Sequence, residues 1–546
     1  MCAETLSPER AAAKDAYVPV AELAALRERG VMVVKRGRKQ IALFYDDGEV
    51  HACNNRCPHE GYPLSEGVLT KGAGGACLLT CNWHNWKFDL DSGETLVGGD
   101  RLRRYPVRLA EGQVWLDLSD PPAEERARAA LANLAESFPD HETDRMAREI
   151  ARLMRAGRDP LDALRAAIHW THDKLEFGTR HSHAAAADWL ALRAWKAGGD
   201  PALNLTPLVE VAGHLAWDTL REPAYPYAEG RAPYEAQALI DAIEAEDEAT
   251  ACALARGALA QGLSYAEIEP ALARAALAHY ANFGHSAIYT LKTGQLIERL
   301  GAEIMEPLLL ALVRSLIYAR REDLIPEFRD YGRVLAAWPA AEDQGTASPR
   351  PEDFIGLGVR AALERCLDFA AADPRELYGA LLGAAAWNLL HFDRAVEARN
   401  DGPVSDNIGW LDFTHGITFA NAVRILCTRY PELWPQGLLQ MACFTGRNAA
   451  YVDKGLDTAP WRVEEPEIFF EATALRLFDH GQFEYIVAAH LLKTFMAARD
   501  EVLAAPEAPW TTEVLAGVNR FLNTPVKRRF GLRTARQSLD FVARED

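Results

Sequence analysis

Four residues near the start of the chain have the types and spacing of a metal site. They are Cys57-Pro-His59 and, after 21 intervening residues, Cys81-Asn-Trp-His84. One thiolate and one imidazole from each of two loops suit a [2Fe-2S] cluster with unlike irons. Two thiolates hold one iron and two imidazoles the other, which raises the potential and permits proton-coupled transfer. Two Cys and two His also fit a structural tetrahedral zinc, but zinc modules do not bring this flanking pattern or so strand-rich a setting. Cys53 and Cys77 fall outside the spacing and read as packed thiols.

A second set of residues lies further along the chain. Twelve of the fifteen histidines follow residue 120, and Phe283-Gly-His285-Ser286, Phe413-Thr-His415-Gly416 and Phe478-Asp-His480-Gly481 all read F-x-H-[SG]. Phe177-Gly-Thr-Arg-His181-Ser182 is a looser copy, and an internal repeat is the economical explanation. Preceding helical stretches add His172, His279 and His391. His169, His172, Asp173 and Glu176 share one helix face by their spacing, which could add a carboxylate to an iron site or be a solvated polar face. Neutral imidazole is the commonest ligand of borderline metals. His172, Glu176, His181, His279, His285, His391, His415 and His480 are therefore the expected pool of ligands for a second, non-haem iron site, mono- or dinuclear. The bland reading of any one of them is a hydrogen-bonded core histidine.

These residues need elements to position them. Residues 15 to 120 read as short strands and turns, with β-rich runs in VMVVKR and IALFY, the turn DDGE, and a hairpin in YPVRLAEGQVWLDL turning at Glu111-Gly112. After Pro121 long Ala/Leu/Glu/Arg stretches at helical spacing take over. The expected architecture is α+β multidomain: a small all-β domain over 1–120 and a large all-α, helical-repeat domain over 121–546, with a subdivision near 340–354. At 546 residues the chain exceeds one ordinary core. A net charge of −19 argues against nucleic acid, the tail PVKRRFGLRTAR being the one basic exception, read as a solvated or salt-bridged end. No apolar run is long enough to span a membrane, and no secretory signal is visible. Nine cysteines do not look like a disulfide framework, so the cytoplasm is the expected compartment. A homo-oligomer is compatible with all of this.

The first motif resembles the Rieske iron–sulfur domains over roughly residues 15 to 120. CPHEGYPLSEG looks like their first loop, and CNWHNWKFDLDSGE like their second, with its W-K-F-D strand and D-x-x-S-G-E turn. The resemblance implies that Cys57, His59, Cys81 and His84 bind a [2Fe-2S] cluster. Respiratory Rieske proteins carry a further cysteine in each loop, paired as a disulfide. Here the matching positions hold Tyr62 and, in the second loop, Trp83 or its neighbours, which implies the ferredoxin and oxygenase kind of lower potential. The segment between the loops, with its GAGG, is long, and its extension is expected at the exposed cluster edge.

The usual partner of such a domain, the catalytic domain of aromatic-ring oxygenases, has a D-x-x-H-x4-H signature that is missing here. So are a P-loop, G-x-S-x-G and E-x-x-H pairs, and Gly356-x-Gly358 has no βαβ setting for a dinucleotide. The helical half resembles questin oxidase-like proteins at GHSAIYTLKTGQLIERLGAE and LDFTHGITFANAVRIL. That resemblance implies an oxygen-dependent oxidation, in the namesake a ring opening of an anthraquinone. The expectation is thus an oxygenase or oxidase. Electrons from an NAD(P)H-dependent reductase or ferredoxin enter the cluster, and O2 is used at the helical iron against a small organic substrate, aromatic or polyketide-like. The alternative is a non-catalytic electron carrier or redox sensor whose helices are a partner-binding scaffold.

Overall fold

A computed structural model describes residues 16–219, 221–341, 348–526 and 530–545. The stretch read for a secretory signal (1–15), part of the expected subdivision (342–347) and part of the basic tail (527–529) lie outside the described residues. The chain divides into two compact units, one of residues 1–137 with 142–158, the other of 138–141 with 159–546.

The first unit is built on ten strands: β1 (Tyr17–Glu22), β2 (Val31–Arg36), β3 (Lys39–Asp46), β4 (Glu49–Asn54), β5 (Val68–Lys71), β6 (Cys77–Thr80), β7 (Lys87–Asp89), β8 (Thr95–Val97), β9 (Val107–Ala110) and β10 (Gln113–Asp117). They form three antiparallel sheets, ordered β1-β10-β9, β2-β3-β4 and β5-β6-β7-β8. Two hairpins turn on consecutive left-handed residues, Asp47-Gly48 and Glu111-Gly112, the twist that matches antiparallel strands. Strand β3 is buried on both faces. Ala42 and Phe44 pack with Cys53, Cys57, Cys77, Cys81 and Phe88, while Ile41 and Leu43 pack with Leu26, Val34, Val114 and Leu116. Period-two alternation in one strand thus feeds two cores. The GAGG segment is the turn between β5 and β6, and β6 runs from Cys77 to Thr80 before Cys81 is reached. The extension therefore lies at the far end of β6 from the ligand loop, not at the cluster edge, because pairing with β5 carries the turn away.

Compactness carries the first unit past residue 120. The helices Ala123–Ser137 and Thr143–Arg155 belong to it. Their tie is Asp100, a fully buried carboxylate after β8 that accepts from Arg148 Nε at 3.0 Å and Arg152 Nη1 at 2.8 Å. Burial alone would push Asp100 up, but the two guanidinium groups outweigh it and hold the carboxyl below its usual range. The stability this gives is present above the ordinary aspartate pKa and is lost as pH falls through the lowered value. Glu149 opposes it. Burial, countered by Arg152 and reinforced by Asp100, pushes Glu149 up to about 7, so its ionisation costs stability as pH rises from the ordinary glutamate range to about 7. Asp100→Ala is expected to destabilise the first unit by about 2 kcal/mol, below the ~3–5 kcal/mol of a fully buried pair, because the freed arginines can rehydrate. Thermal denaturation at neutral pH measures it; an unchanged midpoint refutes the tie.

The second unit is all helical among its described residues, from short 3₁₀ turns to helices such as Trp410–Arg429 and Tyr485–Ala504. No helix of the described residues is long and apolar enough to cross a membrane. Residues 159–546 group with 138–141 as the second of the two compact units. The basic tail ends in an exposed helix, Gly531–Val542. The F-x-H copies share spacing but not local structure. Phe283 precedes a helix in a left-handed turn, Phe413 to His415 lie inside a helix, and Phe478 to His480 follow the end of one.

Candidate metal centres

In the first unit the two predicted loops fold alike. Cys57 N–H donates to Tyr62 O and Gly61 N–H to Cys57 O, both at 2.8 Å; Cys81 N–H donates to Trp86 O at 2.8 Å and Asn85 N–H to Cys81 O at 3.0 Å. Each loop turns back through a left-handed residue four positions after its cysteine, Gly61 (φ 79°) and Asn85 (φ 60°). Repetition of one turn brings the ligand pairs face to face. The thiols of Cys57 and Cys81 are buried and in contact, and burial, chiefly, raises Cys57 to about 11. The rings of His59 and His84 lie 4.7 Å apart at 76°. His59 Nδ1 is buried without a hydrogen-bond partner, a lone pair or N–H that only a further group could satisfy. Two thiols and two imidazoles, one with an orphaned nitrogen, fit the cluster that the loop pattern implies. Cys53 and Cys77 are buried free thiols, as packed cysteines should be.

Trp86 stacks on His59 at 4.6 Å and 10°, and Trp83 stands 60% exposed beside His84. Gly98 (φ 118°) makes the stack possible: a Cβ there would lie 2.2 Å from Trp86 Cδ2. Gly98→Ala is therefore expected to push Trp86 off His59 and destabilise the domain by about 1–3 kcal/mol. The check is electron paramagnetic resonance of the reduced protein: shifted g values at unchanged iron content. Identical g values would disconnect Trp86 from the ligand.

In the second unit four histidines from four helices converge. His181 and His285 begin the helices His181–Lys196 and His285–Leu300; His415 and His490 lie within Trp410–Arg429 and Tyr485–Ala504. His285 Nε2 is 3.0 Å from His181 Nε2 and 2.9 Å from His415 Nε2. One ring nitrogen each of His181, His415 and His490 also falls within 4.8 Å of the others. The opposite nitrogens are tied back: Nδ1 of His285, His415 and His490 each donates to a carbonyl, of Asn282, Leu411 and Ile486, at 2.6 Å. A carbonyl can only accept, so the Nε2 atoms of His285 and His415 carry lone pairs in the neutral rings. Two lone pairs facing each other at 2.9 Å repel unless a cation sits against both. A proton is disfavoured: burial and then the Lys493 charge pull His285 down to about 3 and hold His181 well below its usual range, and burial and then His285 and His490 do the same to His415. Neighbouring ligands of an octahedral ion with bonds of about 2.1 Å stand about 3 Å apart, which is the spacing found. The backbone-anchored Nδ1 atoms are the usual outer support of such ligands.

The backbone before His285 is unusual. Asn282 (φ 50°), Phe283 (φ 52°) and Gly284 (φ 74°) are three left-handed residues in a row, and Phe283 N–H donates to Glu322 Oε2 at 3.2 Å. Such conformations cost about 1–2 kcal/mol per non-glycine residue and persist where surrounding structure enforces them, often at functional sites. Lys493 lies one turn beyond His490, its amine buried without a hydrogen-bond partner and lowered, chiefly by burial, to about 8.

Of the eight residues expected to share a second iron, the fold brings together His181, His285 and His415. His172 stacks on Tyr227 and gives Nδ1 to the His169 carbonyl; Glu176 is exposed. His279 sits between Glu244 and Asp323, His391 stacks on Trp387, and His480 pairs with Glu210. His490 was outside the expected set. Its signal was a histidine inside the apolar stretch VAAHLLKTF, where a buried imidazole needs polar company.

Comparison with known proteins agrees with the first site. Residues 16–103 match the Rieske [2Fe-2S] domain. The 4beta-methylsterol monooxygenase of Methylococcus capsulatus is 39% identical over 108 residues, 18% of this chain and 28% of that protein. The 3-phenylpropionate/cinnamic acid dioxygenase ferredoxin subunit of Photorhabdus laumondii is 37% identical over 82 residues, 15% of this chain and 74% of that one. Among solved structures, the terminal oxygenase of carbazole 1,9a-dioxygenase from Nocardioides aromaticivorans matches 19% of this chain and 30% of its own at 27% identity, with a TM-score of 0.17. The chain thus spans under a third of the sterol monooxygenase it matches.

Proposed function

We propose, from the premise that this chain belongs to the Rieske [2Fe-2S] family through residues 16–103, that it is an oxygen-dependent oxidoreductase with two metal centres. The observation that carries the reading is the face-to-face Nε2 geometry of His181, His285 and His415, with His490 alongside. When bound, a [2Fe-2S] cluster supplies one-electron transfer and a histidine-held iron supplies activation of dioxygen. Cys57, Cys81, His59 and His84 would hold the cluster, and Trp83, exposed beside His84, would give an electron donor, a reductase or ferredoxin, a surface to approach. His181 and His415 belong both to the His285 contacts and to the group with His490, and no carboxylate shares that group among the described residues, which favours a mononuclear site over a dinuclear one. Burial chiefly, with the Lys493 charge adding to it, keeps the imidazoles neutral and so available as ligands. The resemblance to questin oxidase-like proteins points to an organic, aromatic or polyketide-like substrate.

An iron-edge anomalous map of the iron-loaded protein tests this, with a peak expected at the four histidines besides the cluster. Oxygen uptake with a reduced ferredoxin and candidate substrates is the companion measurement. Cluster iron alone, with no substrate-dependent uptake, would favour the second reading, an electron carrier on a helical scaffold. The match to a dioxygenase ferredoxin subunit is what supports that reading.

A further inference from the structure

The helical unit contains a cavity of about 970 Å³ that the histidine centre does not use. It is walled by Trp387, Trp434, Trp510 and Tyr378 and floored by Arg424 and Glu501. Arg424 lies nine residues beyond His415 on one helix, and Glu501 eleven beyond His490 on another, so the floor is about 14–16 Å of helix rise from the histidines. The size is that of a small-molecule site. The floor is pre-built. Fully buried Glu501 accepts from Arg424 Nε at 2.8 and 2.9 Å, from Tyr378 Oη at 2.8 Å and from Asn421 Nδ2 at 2.8 Å. Asp500 takes a further bond from Arg424 Nη2. The arginine charge is thereby neutralised, yet its Nη1 and the three indole N–H groups have no acceptor among the described residues. The tryptophan wall is held in place by glycines: a Cβ at Gly379 would lie 3.0 Å from Trp510 Nε1, and one at Gly383 would lie 3.1 Å from Trp510 Cβ.

We infer that this cavity is a second binding site, for a flat, uncharged aromatic molecule carrying a carbonyl or hydroxyl oxygen. Indole faces suit a planar ring, and base-like stacking on aromatic walls is selective for flatness rather than charge. The spare N–H donors suit an acceptor oxygen, and the three arginines of the lining, Arg350, Arg375 and Arg424, are outnumbered by its glutamates, Glu352, Glu376, Glu501 and Glu513, so no surplus positive charge attracts an anion. The site goes beyond the proposed oxidation and does not depend on a metal at the histidines.

The probe is 2-naphthol, titrated calorimetrically into the iron-loaded full chain beside naphthalene-2-carboxylate. One-to-one binding of 2-naphthol, at least tenfold tighter than the carboxylate, is expected. Ala508→Phe, which fills the cavity from its loop wall, should weaken it at least tenfold, and Trp510→Phe, which removes one indole donor with little loss of volume, should weaken it several-fold. His285→Ala should leave it unchanged. Equal or tighter binding of the carboxylate overturns the ligand class. Absence of binding, insensitivity to both cavity variants in folded protein, or loss of binding in His285→Ala overturns the site.

Discussion

His285→Ala is expected to empty the helical centre while the Rieske unit stays loaded, lowering iron from about three to about two per chain. His285 is the natural choice because its Nε2 is the atom in contact with two other imidazoles, at 3.0 and 2.9 Å. Removing it deletes a ligand rather than an outer-shell support, so the loss of metal affinity should exceed the ~10–100-fold typical of outer-shell changes. Substrate-dependent oxygen uptake should vanish with the metal. Elemental analysis and the visible spectrum read the two centres separately. Unchanged iron at an unchanged cluster spectrum would refute a metal at the four histidines. The apo form gives a second handle: without a cation the lone pairs of His285 and His415 repel, so the metal should raise the melting temperature of the wild type and not of the variant.

Cys81→Ser is expected to abolish the cluster altogether, with loss of its visible absorption and of the reduced-state resonance. Cys81 is 1% exposed and packs with Phe88 and Leu79, so the site offers a hydroxyl no water and no alternative thiol within the ligand pattern. Cys53 and Cys77 share that core. They are held protonated, each pushed up to about 12 chiefly by burial, so they are poor stand-ins. Since the iron of such a cluster binds thiolate, and burial also raises Cys57, loading should release protons and weaken as pH falls. Retention of a Rieske spectrum in Cys81→Ser would overturn the ligand assignment.

The strand-rich start and helical remainder were legible because alternation and helical spacing are local properties of the chain. Both hairpin turns could be read from Asp47-Gly48 and Glu111-Gly112, whose backbone demands glycine or a near substitute. The cluster loops were legible for the same reason: each pair, Cys57 with His59 and Cys81 with His84, is set within a single turn. The unit boundary was less so, since the tie from Asp100 to Arg148 and Arg152 spans some fifty residues and leaves no local trace.

The helical centre was decided by tertiary structure. His181, His285, His415 and His490 come from helices far apart in the chain, and spacing cannot say which helix ends meet. The F-x-H pattern picked out His285 and His415, but it also picked His480, ten residues before the histidine that joins them. What separates the two is direction. His490 faces His181 and His415 from inside a buried helix, whereas His480 lies past a helix end and pairs with Glu210. Residue types by themselves determined that the chain carries imidazole ligands in abundance and a two-loop cluster site. Which imidazoles share a point depends on helix packing, which is set by contacts between distant segments rather than by any one of them.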